Sequence, residues 1–278
     1  MTNNKNCRAT APVAVVPTSA GEAPALQQRA FFITGTDTGV GKTHLTTLLL
    51  SEFRRRGLRA GAMKPIACGP DGRRDAERYA ALMNHEQPLD VLNPVYLRHP
   101  LAPYIAAKLE HRRINLRKVV ATYHLLSTTY SPLLLEGAGG LLVPILSHCH
   151  PERSEGPRKR IGSEILRSAQ NDSGEKSRPY FVADLARDLG LPLIIVARLG
   201  LGTINHTLLT IRQAQASGLK IAGIIFNDTT GAKRGLAERT NVENAPVLFR
   251  LPIFGVVPHG ARKARPAARE ICQRLLAL

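Results

Sequence analysis

The 278-residue chain contains no tryptophan, only 5% aromatic residues and only four cysteines, and it lacks any apolar run as long as a membrane span. The missing apolar run argues against an integral membrane protein. Cys7, Cys68, Cys149 and Cys272 are scattered and form no C-x-x-C pair. This spacing argues against a zinc site and a disulfide scaffold, and it indicates a reducing, cytoplasmic environment.

Acidic residues are also scarce: 38 lysines and arginines face 21 aspartates and glutamates, for a formal net charge of +17. A strongly basic chain raises the possibility of nucleic-acid binding. The arginines are dispersed, however, and basic residues do not alternate with aromatic ones. We therefore expect no specific nucleic-acid partner, and we expect the positive field to favour an anionic substrate.

The chain does contain a glycine-rich loop between a predicted strand and a predicted helix. Residues 34–44 read TGTDTGVGKTH, after a short apolar run and before an apolar-periodic segment. In this setting, backbone N–H groups and the start of the helix can bind a polyphosphate. Lys42 would contact the β- and γ-phosphates and Thr43 would ligate Mg²⁺. The sequence predicts a nucleoside triphosphate site, although Gly35 stands one residue earlier than the strict G-x-x-x-x-G-K-[ST] pattern requires.

Downstream of the loop, apolar strands alternate with amphipathic helices. Such alternation predicts an α/β fold, with a doubly wound, mostly parallel sheet, helices on both faces and ligands at the carboxyl ends of the strands. We predict a single domain over residues 29–278. The predicted strands are 59–64, 133–135, 193–197, 221–226 and 253–257, the predicted helices are about 75–83, 116–130, 181–189 and 204–216, and 89–103 is predicted to be irregular.

Two segments interrupt this organisation. Residues 1–28 lack the charged start and continuous apolar core of a secretory signal, and we expect a disordered extension. Residues 147–178 carry scattered charge with little apolar periodicity, and they look like translated interspersed repeats. Because unstructured loops of this length are uncommon inside compact domains, we expect a disordered surface insertion beside the predicted site.

Charged side chains stand at or near the predicted strand ends. Lys64 closes the second strand, where it could be solvated or could clamp an anion. Asp75 is placed at the predicted start of a helix, as an N-cap or as a carboxylate facing Mg²⁺. Glu136 ends a buried strand and precedes the glycine-rich turn 137–140. A buried carboxylate is costly unless it is paired or binds metal, so Glu136 is the stronger candidate for a Mg²⁺-directed acid.

Two further motifs follow later strands. Asn227 and Asp228 are either turn residues or nucleotide contacts, because the asparagine amide can hydrogen-bond both the donor and the acceptor of an adenine edge. Residues 200–206, GLGTINH, open a helix whose N–H groups could hold a carboxylate. We assign His206 no proton transfer.

Together these motifs resemble the dethiobiotin synthetase family, ATP-dependent carboligases of biotin biosynthesis. The longer phosphate-binding loop is the family's form. The resemblance covers about 29–260 without the insertion, and it rests on TGTDTGVGKT at 34–43, KPIA at 64–67, EGAGG at 136–140, GTINH at 202–206 and ND at 227–228.

The resemblance implies a reaction. One amine of 7,8-diaminononanoate takes up CO₂ to form a carbamate, and ATP phosphorylates that carbamate. The second amine attacks the mixed anhydride, closes the ureido ring and releases phosphate. The resemblance also implies a homodimer, because in the family the substrate's carboxylate tail reaches a second subunit.

It further implies a role for each matched residue. Catalytic roles fall to Lys64, Lys42 and Thr38, and the Mg²⁺ ligands are Thr43, Asp75 and Glu136. Substrate contacts fall to Lys64, Gly202, Asn205 and Cys68, the last standing where family members usually have serine. The nucleotide-binding residues are Gly39, Val40, Gly41, Lys42, Thr43, His44, Asp75, Glu136, Gly137, Ala138, Gly139, Asn227, Asp228, Pro258, His259 and Gly260.

The alternative is a P-loop ATPase switch of the partitioning or septum-positioning type. Such proteins usually carry an additional lysine early in the loop, where this chain has Asp37. They also tend to end in a helix that contacts membrane or DNA, and the basic tail 262–269 keeps this alternative open. A third candidate, a corrin amidoligase, normally has a glutamine-hydrolysing domain, for which this chain has no evident cysteine nucleophile.

Overall fold

The computed structural model describes residues 29–147, 178–231 and 235–278. The predicted extension 1–28, and the predicted insertion apart from its two end residues, lie outside the described residues. In chain order the elements are β1 (Ala30–Gly35), α1 (Lys42–Arg55), β2 (Gly61–Met63), β3 (Ile66–Cys68), α2 (Gly69–Leu82), α3 (Leu89–Leu92), β4 (Val95–Leu97), α4 (Pro103–Leu109), α5 (Leu116–Thr129), β5 (Leu133–Glu136), β6 (Pro144–Leu146), β7 (Tyr180–Phe181), α6 (Val182–Asp188), β8 (Leu193–Arg198), α7 (Thr203–Ala216), β9 (Ile221–Asn227), α8 (Leu236–Phe249), β10 (Ile253–Val257) and α9 (Ala261–Leu276).

The centre of the molecule is a six-stranded sheet with the strand order β10-β9-β8-β1-β5-β2, and all of its pairings are parallel. From β1 the chain runs outward to β2, returns to β5 and then continues on the other side of β1. The winding therefore reverses at β1. Doubly wound folds bind ligands in the crevice beside such a point. The predicted α/β fold class is confirmed.

Helices cover both faces of this sheet because its strands are apolar on both sides. In β8, Ile194 and Val196 belong to the larger hydrophobic core, whereas Ile195 and Ala197 belong to a smaller one on the opposite face. Helices α1 and α9 pack together on the side of the larger core, and α7 packs against α8 on the other. Among the helices of the described ranges, none is both long and apolar enough to cross a bilayer.

Two short strand pairs lie outside the main sheet. The parallel pair β3–β4 holds the chain just after Lys64. The antiparallel pair β6–β7 places Leu146 opposite Tyr180. Ser147 and Arg178, the two ends of the predicted insertion, therefore lie next to a shared two-stranded ribbon.

Most of the predicted elements are confirmed. The strands predicted at 133–135, 193–197, 221–226 and 253–257 match β5, β8, β9 and β10 to within one residue, and so do the helices at 116–130, 181–189 and 204–216. The strand predicted at 59–64 is shorter, at Gly61–Met63.

Two predictions about the first half of the chain are wrong. Helix α2 begins at Gly69, well before Asp75, because Gly69 adopts a φ of 73° and Pro70 occupies the first turn, where a proline needs no N–H partner. Asp75 therefore lies in the middle of α2 and is not an N-cap. The segment 89–103, predicted to be irregular, contains α3 and β4.

Sequence patterns did not indicate α8 and α9. Each carries an internal proline, Pro246 or Pro266, and such residues normally interrupt helices. The basic tail 262–269 lies within α9, whose residues Ala264 and Ile271 pack into the larger core. Its cations lie on the outer side of an amphipathic helix.

Candidate active site

The glycine-rich loop joins β1 to α1 at the point where the winding reverses. Gly41 caps α1 with a φ of 93°, and a Cβ there would stand 2.0 Å from Asn227 Nδ2. Gly35 is also crowded, since its Cβ would lie 2.7 Å from Val40 Cγ2. Glycine at both positions allows a tight loop that presents backbone N–H groups at the start of α1.

Lys42 turns back over this loop. Its Nζ donates to the Asp37 carbonyl oxygen at 3.2 Å, and the residue is 7% exposed. In the described part of the chain, no carboxylate forms an ion pair with it. Burial lowers the pKa of Lys42, and the nearby Glu136 carboxylate only partly opposes this effect. An anion bound in the loop would supply the countercharge that Lys42 lacks.

On the other side of the loop, four predicted residues converge from α1, α2, β5 and the connection that follows β2. Lys64 Nζ lies 2.5 Å from Glu136 Oε1 and 3.1 Å from Asp75 Oδ2. The Thr43 hydroxyl donates toward the same two oxygens, at 2.9 and 3.0 Å. Lys64 follows β2 and Glu136 ends β5, and neighbouring parallel strands end at one edge of the sheet. We call Thr43, Lys64, Asp75 and Glu136 the acid–lysine cluster.

The charges in this cluster compensate one another. Burial alone would lower the pKa of Lys64, but the Glu136 and Asp75 carboxylates outweigh it and raise that pKa. Burial raises the pKa of Asp75, an effect that Lys64 opposes. Glu136 is 1% exposed and is tolerated in the interior because Lys64 pairs with it. Lys64 is therefore a protonated cation at neutral pH.

The cluster also fits a magnesium ion. Its oxygen donors are one hydroxyl and two carboxylates, the hard ligands that Mg²⁺ prefers, and phosphates and waters usually complete its coordination. Within the described ranges, no group of three or more His, Cys, Asp and Glu side chains is arranged to hold a metal. Two carboxylates and a hydroxyl fit a cation that arrives with a nucleotide better than a metal held by protein ligands alone.

The glycine-rich turn after Glu136 lies against the phosphate-binding loop. A Cβ at Gly139 would stand 3.7 Å from Thr38 Cγ2, and one at Gly140 would stand 3.3 Å from the Gly35 carbonyl oxygen. Thr38 is exposed at the loop's outer edge, where its N–H donates to Asp37 Oδ1 at 2.7 Å. The predicted residues 137–139 and Thr38 therefore border the same space.

Asn227 closes the opposite side of the loop. It is 3% exposed, its Nδ2 donates to the Val40 carbonyl oxygen at 2.9 Å, and its buried Oδ1 has no partner among the described residues. An unpaired buried amide oxygen is costly unless a ligand donates to it. Asp228 has a turn role, accepting from the N–H groups of Thr230 and Gly231 at 3.2 and 3.0 Å.

The loop after β10 approaches this side too. The His259 ring packs on Gly231, where a Cβ would stand 2.6 Å from His259 Cδ2. Burial lowers the pKa of His44, and His259 lowers it further. The predicted residues His44 and 258–260 therefore lie on the Asn227 side of the loop.

A cavity of about 270 Å³ lies between the outer edge of the loop and the start of α7. Arg198, Thr203 and His206 line it together with the loop. Thr203 is 4% exposed, and its buried hydroxyl has no partner among the described residues. The predicted Gly202 and Asn205 are exposed beside this cavity, and its lining contains their neighbours instead.

Cys68 ends β3 and caps α2 on the lysine side of the site. Burial raises the pKa of its thiol to about 11, and the Glu110 carboxylate adds to the shift. The thiol is therefore protonated at neutral pH. Asn93 Nδ2 donates to the Lys64 carbonyl oxygen at 2.8 Å and fixes the backbone of that lysine.

Sequence reasoning missed Tyr79, Asn93 and Arg198 among the residues around the site, whereas Thr203 lies within the predicted motif 200–206. Tyr79 and Arg198 each had a usable signal. Tyr79 stands one helical turn after Asp75 and therefore faces the same way, and Arg198 directly follows the apolar strand predicted at 193–197. Asn93 reaches the site through tertiary contacts that no local pattern reports.

Comparisons with known proteins show which family the chain belongs to. A family described as an AAA domain matches residues 29–150 and 170–266. ATP-dependent dethiobiotin synthetase from Thermodesulfovibrio yellowstonii is 35% identical, over 82% of this chain and 88% of the relative. The enzyme of that name from Anaeromyxobacter dehalogenans is 38% identical, over 89% and 99% respectively.

Among solved structures, the MinC:MinD cell division complex of Aquifex aeolicus matches with a TM-score of 0.51 and 14% identity, over 90% of this chain and 96% of that chain. The cell division ATPase MinD of Pyrococcus furiosus matches with a TM-score of 0.50 and 14% identity, over 90% and 99%. At this identity the likeness concerns the fold alone. The sequence relatives decide the family, and the chain belongs to the ATP-dependent dethiobiotin synthetases.

Proposed function

We propose that this chain carries out the reaction for which its relatives are named, the ATP-dependent formation of dethiobiotin from 7,8-diaminononanoate and CO₂. The acid–lysine cluster beside the phosphate-binding loop is the observation that carries the proposal. A phosphoryl transfer to a carbamate needs a nucleotide, a cation-binding acid pair and a further cation for the substrate's charge. The phosphate-binding loop would bind the nucleotide, Asp75 and Glu136 would form the acid pair, and Lys64 would be the further cation.

The triphosphate would lie in the loop. The N–H groups of 39–44 and the Lys42 ammonium would bind its phosphates, and the turn 137–139 would border it. Thr43, Asp75 and Glu136 would hold Mg²⁺, which neutralises the charge that develops during phosphoryl transfer. Because Lys42 is a buried cation whose partner within residues 29–147, 178–231 and 235–278 is a carbonyl oxygen, phosphate binding would supply its countercharge.

Lys64 would serve the carbamate. Its ammonium is protonated at neutral pH and stands at the carboxyl end of β2, where the diamine would bind. It would stabilise first the carbamate formed from amine and CO₂, and then the phosphoryl group as it passes to the carbamate oxygen. The second amine would then attack the carbonyl carbon, forming the carbon–nitrogen bond of the ring as phosphate leaves. Thr38 would contact the reacting amine or carbamate at the loop's edge.

The adenine would lie on the Asn227 side. The unpaired Oδ1 of Asn227 can accept from an exocyclic amine, and 258–260 and His44 would line the same side. Asp228 would act there through the turn that it holds.

The substrate's carboxylate would bind at the start of α7. The helix N-terminus favours anions, and the cavity beside it carries Arg198 and the unpaired Thr203 hydroxyl. We propose a cytoplasmic homodimer in which Gly202 and Asn205 serve the substrate held by the other subunit. Cys68 would offer its protonated thiol to the diamine.

The direct test is product formation. Purified protein is incubated with ATP, Mg²⁺, bicarbonate and 7,8-diaminononanoate, and the cyclic urea is sought by mass spectrometry. Dethiobiotin should form with one phosphate released per ring. A rate of ATP hydrolysis that does not depend on the diamine but rises when DNA or lipid is added would reject the proposal and favour a switch-type ATPase.

A further inference from the structure

Tyr79 contacts the active site from the interior of the protein. It is fully buried on α2, and its hydroxyl donates to Glu136 Oε2. The other carboxylate oxygen, Oε1, receives Thr43 and Lys64. The two oxygens of Glu136 therefore have separate partners, one held by the core and one facing the site.

This division fixes the direction of the carboxylate. A glutamate at the end of a strand can rotate about its terminal torsion, which has a broad, nearly two-fold profile. Hydrogen bonds at both oxygens select one rotation, with Oε1 turned to the cluster. Asp75 lies one turn before Tyr79 on the same helix. Helix α2 therefore supplies the Asp75 carboxylate to the cluster and, through Tyr79, orients the Glu136 carboxylate.

A purely structural role would not require this arrangement. Tyr130 shows the contrast: it is equally buried, and its hydroxyl donates to Glu86 Oε2 at 3.1 Å. That pair lies beside Gly61, at the end of β2 away from Lys64, and it involves none of the cluster residues. Among the described residues, Tyr79 and Tyr130 are both buried and both pair with a glutamate, but Glu86 is exposed and only the Tyr79–Glu136 pair reaches the acid–lysine cluster.

We propose that Tyr79 is a positioning residue for the ligase reaction, and that its hydroxyl orients Glu136 for the divalent cation that accompanies ATP. The inference rests on the proposed function. Partners that orient a metal ligand are typically worth roughly 10–100-fold in metal affinity. Tyr79 would act on the cation dependence of nucleotide binding and would touch neither substrate.

The test is calorimetric titration of a non-hydrolysable ATP analogue into wild type and Tyr79→Phe at a series of Mg²⁺ concentrations. The Mg²⁺ midpoint should rise by roughly tenfold in Tyr79→Phe, while binding of the metal-free analogue stays unchanged. The matched control, Tyr130→Phe, should keep the wild-type midpoint. In a Glu136→Ala background, Tyr79→Phe should produce no further shift.

The outcomes separate the two proposals. A wild-type protein that fails to bind the analogue with Mg²⁺ overturns the proposed function itself. A normal wild type with an unshifted Tyr79→Phe, or with equal shifts in Tyr79→Phe and Tyr130→Phe, overturns only the role of Tyr79. If Tyr79→Phe does not fold, 3-fluorotyrosine placed at position 79 keeps the ring and strengthens the donor. Its midpoint should then differ from that of the same substitution at position 130, and equal midpoints would also overturn the inference.

Discussion

The phosphate-binding loop and the acid–lysine cluster each bury one lysine, and the two lysines differ in their partners. Among the described residues, the partner of Lys42 in the loop is a carbonyl oxygen at 3.2 Å, and burial lowers its pKa. Lys64 in the cluster has two carboxylates at 2.5 and 3.1 Å, which raise its pKa despite burial. One region is therefore prepared for an anion, while the other already contains its own anions.

The difference in partners indicates a different role for each lysine. A buried cation without a counterion is costly for the ligand-free protein and becomes favourable when a phosphate binds, so we propose that Lys42 serves nucleotide binding. Lys64 already has its countercharges before any ligand binds. In the proposed reaction it would exchange a carboxylate for the substrate's anion, and we therefore propose that Lys64 serves the chemical step.

The largest effect should come from removing the lysine of the cluster. Lys64→Ala should lower kcat by about 10²–10³-fold, the range for losing one charge-stabilising donor, while ATP still binds. It should also lower the free energy of unfolding by about 3–5 kcal/mol, because Asp75 and Glu136 lose their cation. Steady-state kinetics and urea unfolding measure both effects. Near-normal turnover would refute the role assigned to Lys64.

Removing the lysine of the loop should have the opposite effect on stability. Lys42→Met should weaken binding of an ATP analogue by about 10–100-fold, the cost of one charge-assisted hydrogen bond. The ligand-free protein should unfold no more easily than wild type, because a buried cation without a carboxylate partner is removed. Calorimetry measures the affinity for the analogue, and thermal unfolding measures the stability of the ligand-free protein. A loss of stability equal to that of Lys64→Ala would remove the distinction between the two lysines.

The two lysines should also titrate on opposite sides of the ordinary value of 10.5. Because the pKa of Lys64 is raised, its stabilisation is present below 10.5 and disappears as the pH rises through its folded pKa. Because the pKa of Lys42 is lowered, the unfolded chain binds more protons between that pKa and 10.5, and stability rises with pH in this window.

Site-resolved labelling with a small amine-reactive reagent, read by mass spectrometry, follows the labelling rate of each lysine against pH. Burial slows the labelling of both lysines, so each profile is normalised to its own high-pH limit before the midpoints are compared. Exposed Lys108 serves as the internal reference for the reagent. Lys42 should show the lower midpoint, and ATP should suppress its labelling. The reverse order would contradict the electrostatic difference between the two regions.

The sequence predicts a residue of this site when that residue belongs to a recognisable local pattern, and it fails when the residue reaches the site through the fold alone. The loop, Lys64 and Glu136 were predictable because each directly follows an apolar strand, and parallel strands place their carboxyl ends at one edge. The start of α2 was not predictable, because Gly69 and Pro70 are typical of a helix end or a turn but here begin the helix. The spacing of Tyr79 from Asp75 indicates which way Tyr79 faces, but its bond to Glu136 and the bond of Asn93 to Lys64 join residues far apart in the chain, and no local pattern encodes those bonds.

A smaller effect should appear at Cys68, on the lysine side of the site. Cys68→Ser should lower the KM for the diamine by roughly two- to fivefold, because a hydroxyl is the stronger hydrogen-bond donor. The KM for ATP should not change, which confines the effect to the diamine. An increase in the KM for the diamine would show that the thiol fits the substrate better than serine.

The smallest effect should come from shortening the predicted insertion. Replacing 148–177 with a four-residue turn should leave kcat unchanged, since β6 and β7 already pair and bring its ends together. Closing a shorter loop costs less entropy, so thermal stability should stay the same or rise slightly. Arg178 is retained because it donates to Asp184 at 2.7 Å. Loss of soluble protein would contradict the interpretation as an insertion.

A crystal structure with Mg²⁺ and a non-hydrolysable ATP analogue would test most directly whether the loop binds the nucleotide while the cluster serves the chemistry. The terminal phosphate should lie within hydrogen-bonding distance of Lys42 Nζ, beside Thr43 and Glu136, and the base should lie against Asn227. A triphosphate bound elsewhere, or a loop left empty at saturating analogue, would contradict this expectation.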